Sequence, residues 1–193
     1  MSDTQKRSLV ITAHPSSKGF THQIAEAYKK GVESVGGSVE ILDLYKTDLK
    51  QDFLRFESPR EIAPDPARTA IQEKITAADE IVFIHPLWWL GPPAILKNFL
   101  DQNISAHFAF RYVDGKLEGL LKGKTSAVFI TCDGKRWLYT LMAMPFWSIW
   151  KFAVIEYCGM KLRAFKIMDK KTWAPQAKLD AFLHKAYEVG KGI

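Results

Sequence analysis

The chain holds only two cysteines, Cys132 and Cys158, and neither sits in a CxxC or zinc-like spacing. That argues against a disulfide scaffold and points to reduced thiols in a cytoplasmic protein. No His/Cys/Asp cluster offers a metal site. Basic residues never run four together although the formal charge is +6. Without such a run or a nucleic-acid motif, the balance describes a solvated basic surface and no nucleic-acid partner is expected. Residues 1–8 are polar and lead directly into an apolar run, so no signal peptide is expected. The one candidate for a membrane span, residues 137–155, is interrupted by Pro145 and Lys151 and closed by Glu156, which argues against stable insertion. GxGxxG and the Walker lysine are missing too, so neither of those phosphate-binding loops is present.

What remains is a chain of 193 residues, 47% hydrophobic and 25% charged, read as a single soluble domain over 1–193. Short apolar runs at 9–13, 39–44, 81–84, 127–131 and 162–168 alternate with helical patterns at 21–35, 65–78, 92–104, 139–157 and 175–189. The 81–84 run is continuously apolar, as in a strand buried on both faces. Asp65-Pro66 has the form of an N-cap followed by proline at the first helical position. Alternation of this kind predicts an α/β fold: a five-stranded parallel sheet of order 2-1-3-4-5 with helices on both faces. Two connections, 45–64 and 105–123, exceed the ordinary loop length and are functional candidates.

Ligands of an open parallel sheet sit beyond the carboxyl ends of its strands. The first loop there, 13–21, offers hydrogen-bond donors at His14, Ser16, Ser17, Lys18 and Thr21 before a helix N-terminus, a natural anion site or else an ordinary capping turn. The second, 86–93, sets Trp88 and Trp89 before a Gly91-Pro92-Pro93 turn. Adjacent indoles in a loop call for something flat and apolar to cover, a ligand ring or a partner protein. The third, 131–137, brings Lys135 and Arg136, with the Tyr139 phenol just beyond it as a possible proton donor.

His14, Phe20-Thr21, Asp43-Leu44-Tyr45, the run Pro86-Leu87-Trp88-Trp89-Leu90-Gly91-Pro92-Pro93-Ala94-Ile95-Leu96-Lys97 and Phe108-Ala109-Phe110-Arg111-Tyr112 follow one another in this order. The set resembles the NAD(P)H:quinone oxidoreductase family of flavodoxin-like flavoproteins over nearly the whole chain. The resemblance implies a flavodoxin-like fold, a bound flavin (FAD or FMN), NAD(P)H as electron donor, a quinone-like acceptor and a homodimer. It implies ping-pong transfer of a hydride, with His14, Gly19, Phe20 and Thr21 at the flavin phosphate and ribityl chain. Pro86, Leu87, Trp88, Trp89 and Leu90 would line the ring, and Thr131, Cys132, Asp133, Gly134 and Tyr139 its other edge. Phe110 and Tyr112 would cap the pocket from the partner subunit, and Lys135 or Arg136 would balance charge on the reduced ring.

The chain also departs from the pattern. The family's third loop is often Thr-Thr-Gly-Gly; here Asp133 stands where a glycine is usual and is expected to crowd the ring's polar edge. Pro145 occupies the place of a histidine that serves as proton partner in the best-known members, and Phe110 that of a tyrosine. Rival readings are a flavin-binding regulatory subunit of a potassium efflux-type system, an electron-carrying flavodoxin and a flavin-free scaffold.

Overall fold

The computed structural model describes residues 5–58, 63–135, 137 and 145–192. Its elements in chain order are β1 (Arg7–Thr12), α1 (Phe20–Ser34), β2 (Ser38–Asp43), α2 (Pro66–Ala77), β3 (Glu80–Pro86), α3 (Ala94–Asn103), β4 (Phe110–Val113), β5 (Lys116–Gly119), β6 (Thr125–Thr131), α4 (Pro145–Ser148), β7 (Lys161–Met168) and α5 (Gln176–Lys191). The main sheet has five strands in the order β2-β1-β3-β6-β7, all pairs parallel. Setting β4 and β5 aside, this is the expected 2-1-3-4-5 order.

Alternation along the central strands explains the layers. Leu9, Ile11, Ile81, Phe83, Val128 and Ile130 enter one hydrophobic cluster, while Val10, Val82, Ile84, Ala127 and Phe129 enter a second on the opposite face. Both faces therefore need helical cover, and β3 is buried along its whole length. On one side α1 and α5 approach until their backbones touch. A Cβ at Gly31 would lie 2.0 Å from the Tyr187 carbonyl oxygen, and one at Gly190 would lie 2.2 Å from that of Tyr28. Asp65 caps α2 by accepting from the Ala67 N–H at 2.9 Å, with Pro66 opening the helix.

Two elements differ from the sequence expectation. The 105–123 connection contains an antiparallel hairpin, β4–β5, whose turn is Asp114-Gly115 with φ of 51° and 75°. Asp-Gly signals a two-residue hairpin only between alternating strands, and these short, largely exposed flanks do not alternate in burial. The expected 139–157 helix is described from 145 onward and is mostly not α-helical: α4 continues as a π-helix (Ile149–Ile155) and a 3-10 turn (Glu156–Cys158). The wider turn sends Trp150 inward against Phe83 at 4.8 Å between ring centres and leaves Trp147, Ile149 and Phe152 outside.

At the opposite end of the sheet from the loaded loops, Glu80 is fully buried. It accepts Arg163 Nε at 2.9 Å and Nη2 at 3.0 Å and the Tyr28 hydroxyl at 2.6 Å, and it pairs with Lys6. Burial and then the Glu80 charge hold the Tyr28 phenol above its ordinary pKa. Removing one partner of a buried pair leaves its cations uncompensated. Glu80→Leu should therefore destabilise the fold by about 3 kcal/mol, read as a lower urea midpoint. A midpoint equal to wild type would show that Lys6 and Arg163 are content with solvent.

Candidate functional site

Hydrogen bonds across the carboxyl ends of the strands hold the loops at one level. Ala13 N–H donates to Ile84 O at 3.1 Å, Leu87 N–H to Thr131 O at 2.8 Å and Cys132 N–H to Met168 O at 2.9 Å. Above them lies a cleft of 370 Å³, within the size range of small-molecule sites. His14, Gly19, Phe20, Thr21, Pro86, Leu87, Trp88, Thr131, Cys132 and Asp133 line it, all of them expected from sequence, together with Lys171 and Thr172. Those last two were missed. They follow β7, a fourth carboxyl end that the same topological rule covers, but no motif marks them.

The first loop suits an anion. Gly19 is the N-cap of the 15-residue α1, no side chain caps it, and the first turn carries no acid. Its N–H groups and dipole are thus free for a negative ligand. His14 Nδ1 lies 3.1 Å from the Ser16 N–H and 3.2 Å from Ser16 O, so the ring is fixed over its own loop, and Gly19 N–H donates to Ser16 O at 3.0 Å. A Cβ at Gly19 would fall 2.9 Å from His14 Nδ1 and 3.0 Å from Ser16 O, so the loop closes this tightly only around glycine.

The second loop is a two-residue turn closed by mutual Trp88 and Gly91 backbone bonds of 2.9 Å. Trp89 and Leu90 adopt φ of 50° and 59°, and Trp89 is fully exposed. Neither lines the cleft, whereas Trp88 does and stands 6.3 Å from the His14 ring. Beneath the loop His85 is buried. Its Nδ1–H donates to Pro86 O at 2.8 Å, and burial pulls its pKa down to about 4, so the imidazole is neutral.

In the third loop Asp133 lines the cleft, and its Oδ1 accepts the Thr172 N–H at 2.8 Å, so the carboxylate also braces the loop that follows β7. Lys171 N–H donates to Cys132 O at 3.1 Å and completes the brace. Burial, with Asp169 and Asp133 adding, pushes the Cys132 thiol up to about 11; it is a packing group, not a nucleophile. Lys135 is exposed and, like Gly134, does not line the cleft. Arg136 and Tyr139 lie outside the described residues. Phe110 and Tyr112 sit on the hairpin, where Phe110 packs edge-on to Tyr157 and the Tyr112 and Tyr157 hydroxyls are 2.6 Å apart. Within one chain they do not reach the cleft.

A second cleft, of 650 Å³, meets the first at Gly19. Ser17, Lys18, His22, Glu26, Lys30, Lys46, Leu183, His184 and Tyr187 contribute to it, so three lysines outnumber its one acid and α5 supplies an apolar and aromatic wall. His22 Nε2 is bonded to Asp43 Oδ2 at 2.9 Å, tying α1 to the end of β2. The 45–58 connection borders a third cavity of 580 Å³ with α2 and α3, and Asn98 donates to Gln51 O at 3.0 Å to hold that segment down. Among the described residues no cluster of His, Cys, Asp or Glu is suited to a metal, and no helix is long and apolar enough to cross a membrane.

A family model described as flavodoxin-like fold matches residues 6–188. NAD(P)H dehydrogenase [quinone] 1 of Rattus norvegicus is 27% identical over 184 residues, a match covering 81% of this chain and 66% of that protein. An uncharacterized NAD(P)H oxidoreductase of Haemophilus influenzae is 36% identical over 127 residues, covering 64% of this chain and 62% of the other. The chain thus spans just under two thirds of these relatives. The solved structure of an NAD(P)H:quinone oxidoreductase from Methanothermobacter marburgensis superposes with a TM-score of 0.81 at 20% identity, over 97% of this chain and 98% of that one.

The brace makes a test that needs no ligand. Asp133→Ala should speed hydrogen exchange of the Thr172 amide by roughly tenfold, the value of one hydrogen bond, while the amides of β6 keep their protection. Unchanged exchange at Thr172 would mean that the loop is held by other contacts.

Proposed function

Because this chain belongs to the flavodoxin-like fold family and is a homologue of NAD(P)H:quinone oxidoreductases, we propose that it is a flavin-dependent NAD(P)H oxidoreductase acting on a quinone or similar acceptor. The observation that carries this reading is the convergence of three separately predicted loops on one cleft, where an uncapped helix N-terminus faces Leu87 and Trp88. Anion donors at one end and flat apolar walls at the other are what a flavin phosphate and ring require. His14, Gly19, Phe20 and Thr21 hold the phosphate and ribityl end. Pro86, Leu87 and Trp88 bear on the ring, and Thr131, Cys132 and Asp133 take the other edge. Bound flavin supplies hydride transfer, from NAD(P)H and then, once nicotinamide has left, to the acceptor.

Of the two flavins, the second cleft favours FAD. It opens from the first at Gly19, and its lysines, histidines and Tyr187 suit a second phosphate and an adenine. A homodimer is supported by the exposed Trp147, Ile149 and Phe152, an apolar patch that a monomer leaves in water, and would bring Phe110 and Tyr112 to the partner's cleft. Two free, buried cysteines suit a cytoplasmic location.

The purified protein is expected to be yellow, with absorbance maxima near ~375 and ~450 nm, to release FAD on denaturation, and to elute as twice its 21.9 kDa mass. Reconstitution in which neither FAD nor FMN binds saturably would sink the reading, and release of FMN alone would reject the role given to the second cleft. Tyr139 is proposed as the proton donor in place of the absent histidine. Tyr139→Phe should slow reduction by NAD(P)H roughly tenfold to a hundredfold with little change in flavin affinity, measured by stopped flow. An unchanged rate would return Tyr139 to a structural role.

A further inference from the structure

We infer that Lys171 is the cation that balances the negative charge of the reduced flavin, a role that rests on the flavin reading above. Hydride transfer brings two electrons and one proton to a neutral ring, so the ring keeps one added negative charge unless a second proton follows. The cleft already contains one acid, Asp133, and that charge opposes reduction. Among the described lining residues Lys171 is the only lysine or arginine. Of the two sequence-based candidates for this task, Lys135 stands outside the cleft and Arg136 lies outside the described residues.

The position of Lys171 is built. Lys170, with φ of 51°, turns the chain out of β7. The Lys171 N–H is then held on Cys132 O at 3.1 Å, and the next amide on Asp133 Oδ1 at 2.8 Å. Lys171 is half-buried, and among the described residues its ammonium is in no ion pair. The acid nearest in sequence, Asp169, is paired with Lys178 at 2.8 Å. A lysine that lines the cleft, with its backbone pinned beside a braced carboxylate and no acid paired to it among the described residues, can favour whichever ligand state carries more negative charge.

The test is spectroelectrochemical titration of the flavin-loaded wild type, Lys171→Gln and Lys171→Arg, with affinities for oxidised and reduced flavin measured separately. Lys171→Gln should lower the affinity for reduced flavin relative to oxidised by about tenfold, which for two electrons is a midpoint about 30 mV more negative. Lys171→Arg should stay at the wild-type potential, and 0.5 M salt should narrow the gap. Equal midpoints in Lys171→Gln and wild type would overturn the inference. So would an equal loss of affinity in both redox states, which would place Lys171 on the phosphates. Failure of wild type itself to bind FAD or FMN would instead overturn the flavin reading.

Discussion

Parallel pairing forces the carboxyl ends of neighbouring strands to one side, and here three backbone bonds beyond the strands carry that alignment into the loops. Ala13 to Ile84, Leu87 to Thr131 and Cys132 to Met168 link β1, β3, β6 and β7 in turn. Each bond sets the height at which a loop begins. A slip of one residue in any pair would turn every side chain of that strand to the other face, which two buried clusters forbid. The site's geometry thus inherits its precision from the core. No loop residue needs to find its neighbour unaided, because the hydrophobic alternation has already set the distance.

The core and the site use opposite ends of the same strands. Glu80, Arg163, Lys6 and Tyr28 form a closed ionic cluster at the amino end of β3. At the carboxyl end the groups are neutral or braced: His85 is held uncharged by burial, Cys132 stays a thiol, and Asp133 is tied to Thr172. Separating the charges this way leaves the cleft's potential to few groups, chiefly the α1 N-terminus, Asp133 and Lys171. An incoming anion or a developing charge therefore meets a field not already cancelled by local pairing.

How much of this was legible in sequence depended on whether the signal was periodic or positional. The five strands and their order came from alternation; ten of the residues lining the cleft lie in loops placed at strand ends, where the family resemblance assigned them. The β4–β5 hairpin was lost because its strands, Phe110–Val113 and Lys116–Gly119, are short and largely exposed, so no apolar alternation announces them. The π-helix was lost because a turn widened around Trp150 depends on what Phe83 and His85 offer across the core, which lies far off in sequence. Lys171 and Thr172 carry no motif, and their place follows only from where β7 ends. The bond from Thr172 to Asp133 was not legible because the partner, a backbone amide in another loop, has no side-chain signature at all.

The turn at Trp88–Gly91 shows the same dependence at its sharpest. Two bulky residues in the left-handed region cost roughly 1–2 kcal/mol each, and glycine or asparagine would relieve most of it. The turn persists because both ends are over-determined: Trp88 and Gly91 exchange two backbone bonds, Leu87 is tied to β6, and Pro92-Pro93 stiffens the exit into α3. The strained conformation leaves Trp88 against the cleft and sends the Trp89 indole out into solvent. The strain is thus the cost of a turn that keeps Trp88 at the cleft while reversing the chain within two residues. Sequence could report the two indoles and the prolines. Only the closed ladder beneath them explains why the backbone tolerates the arrangement.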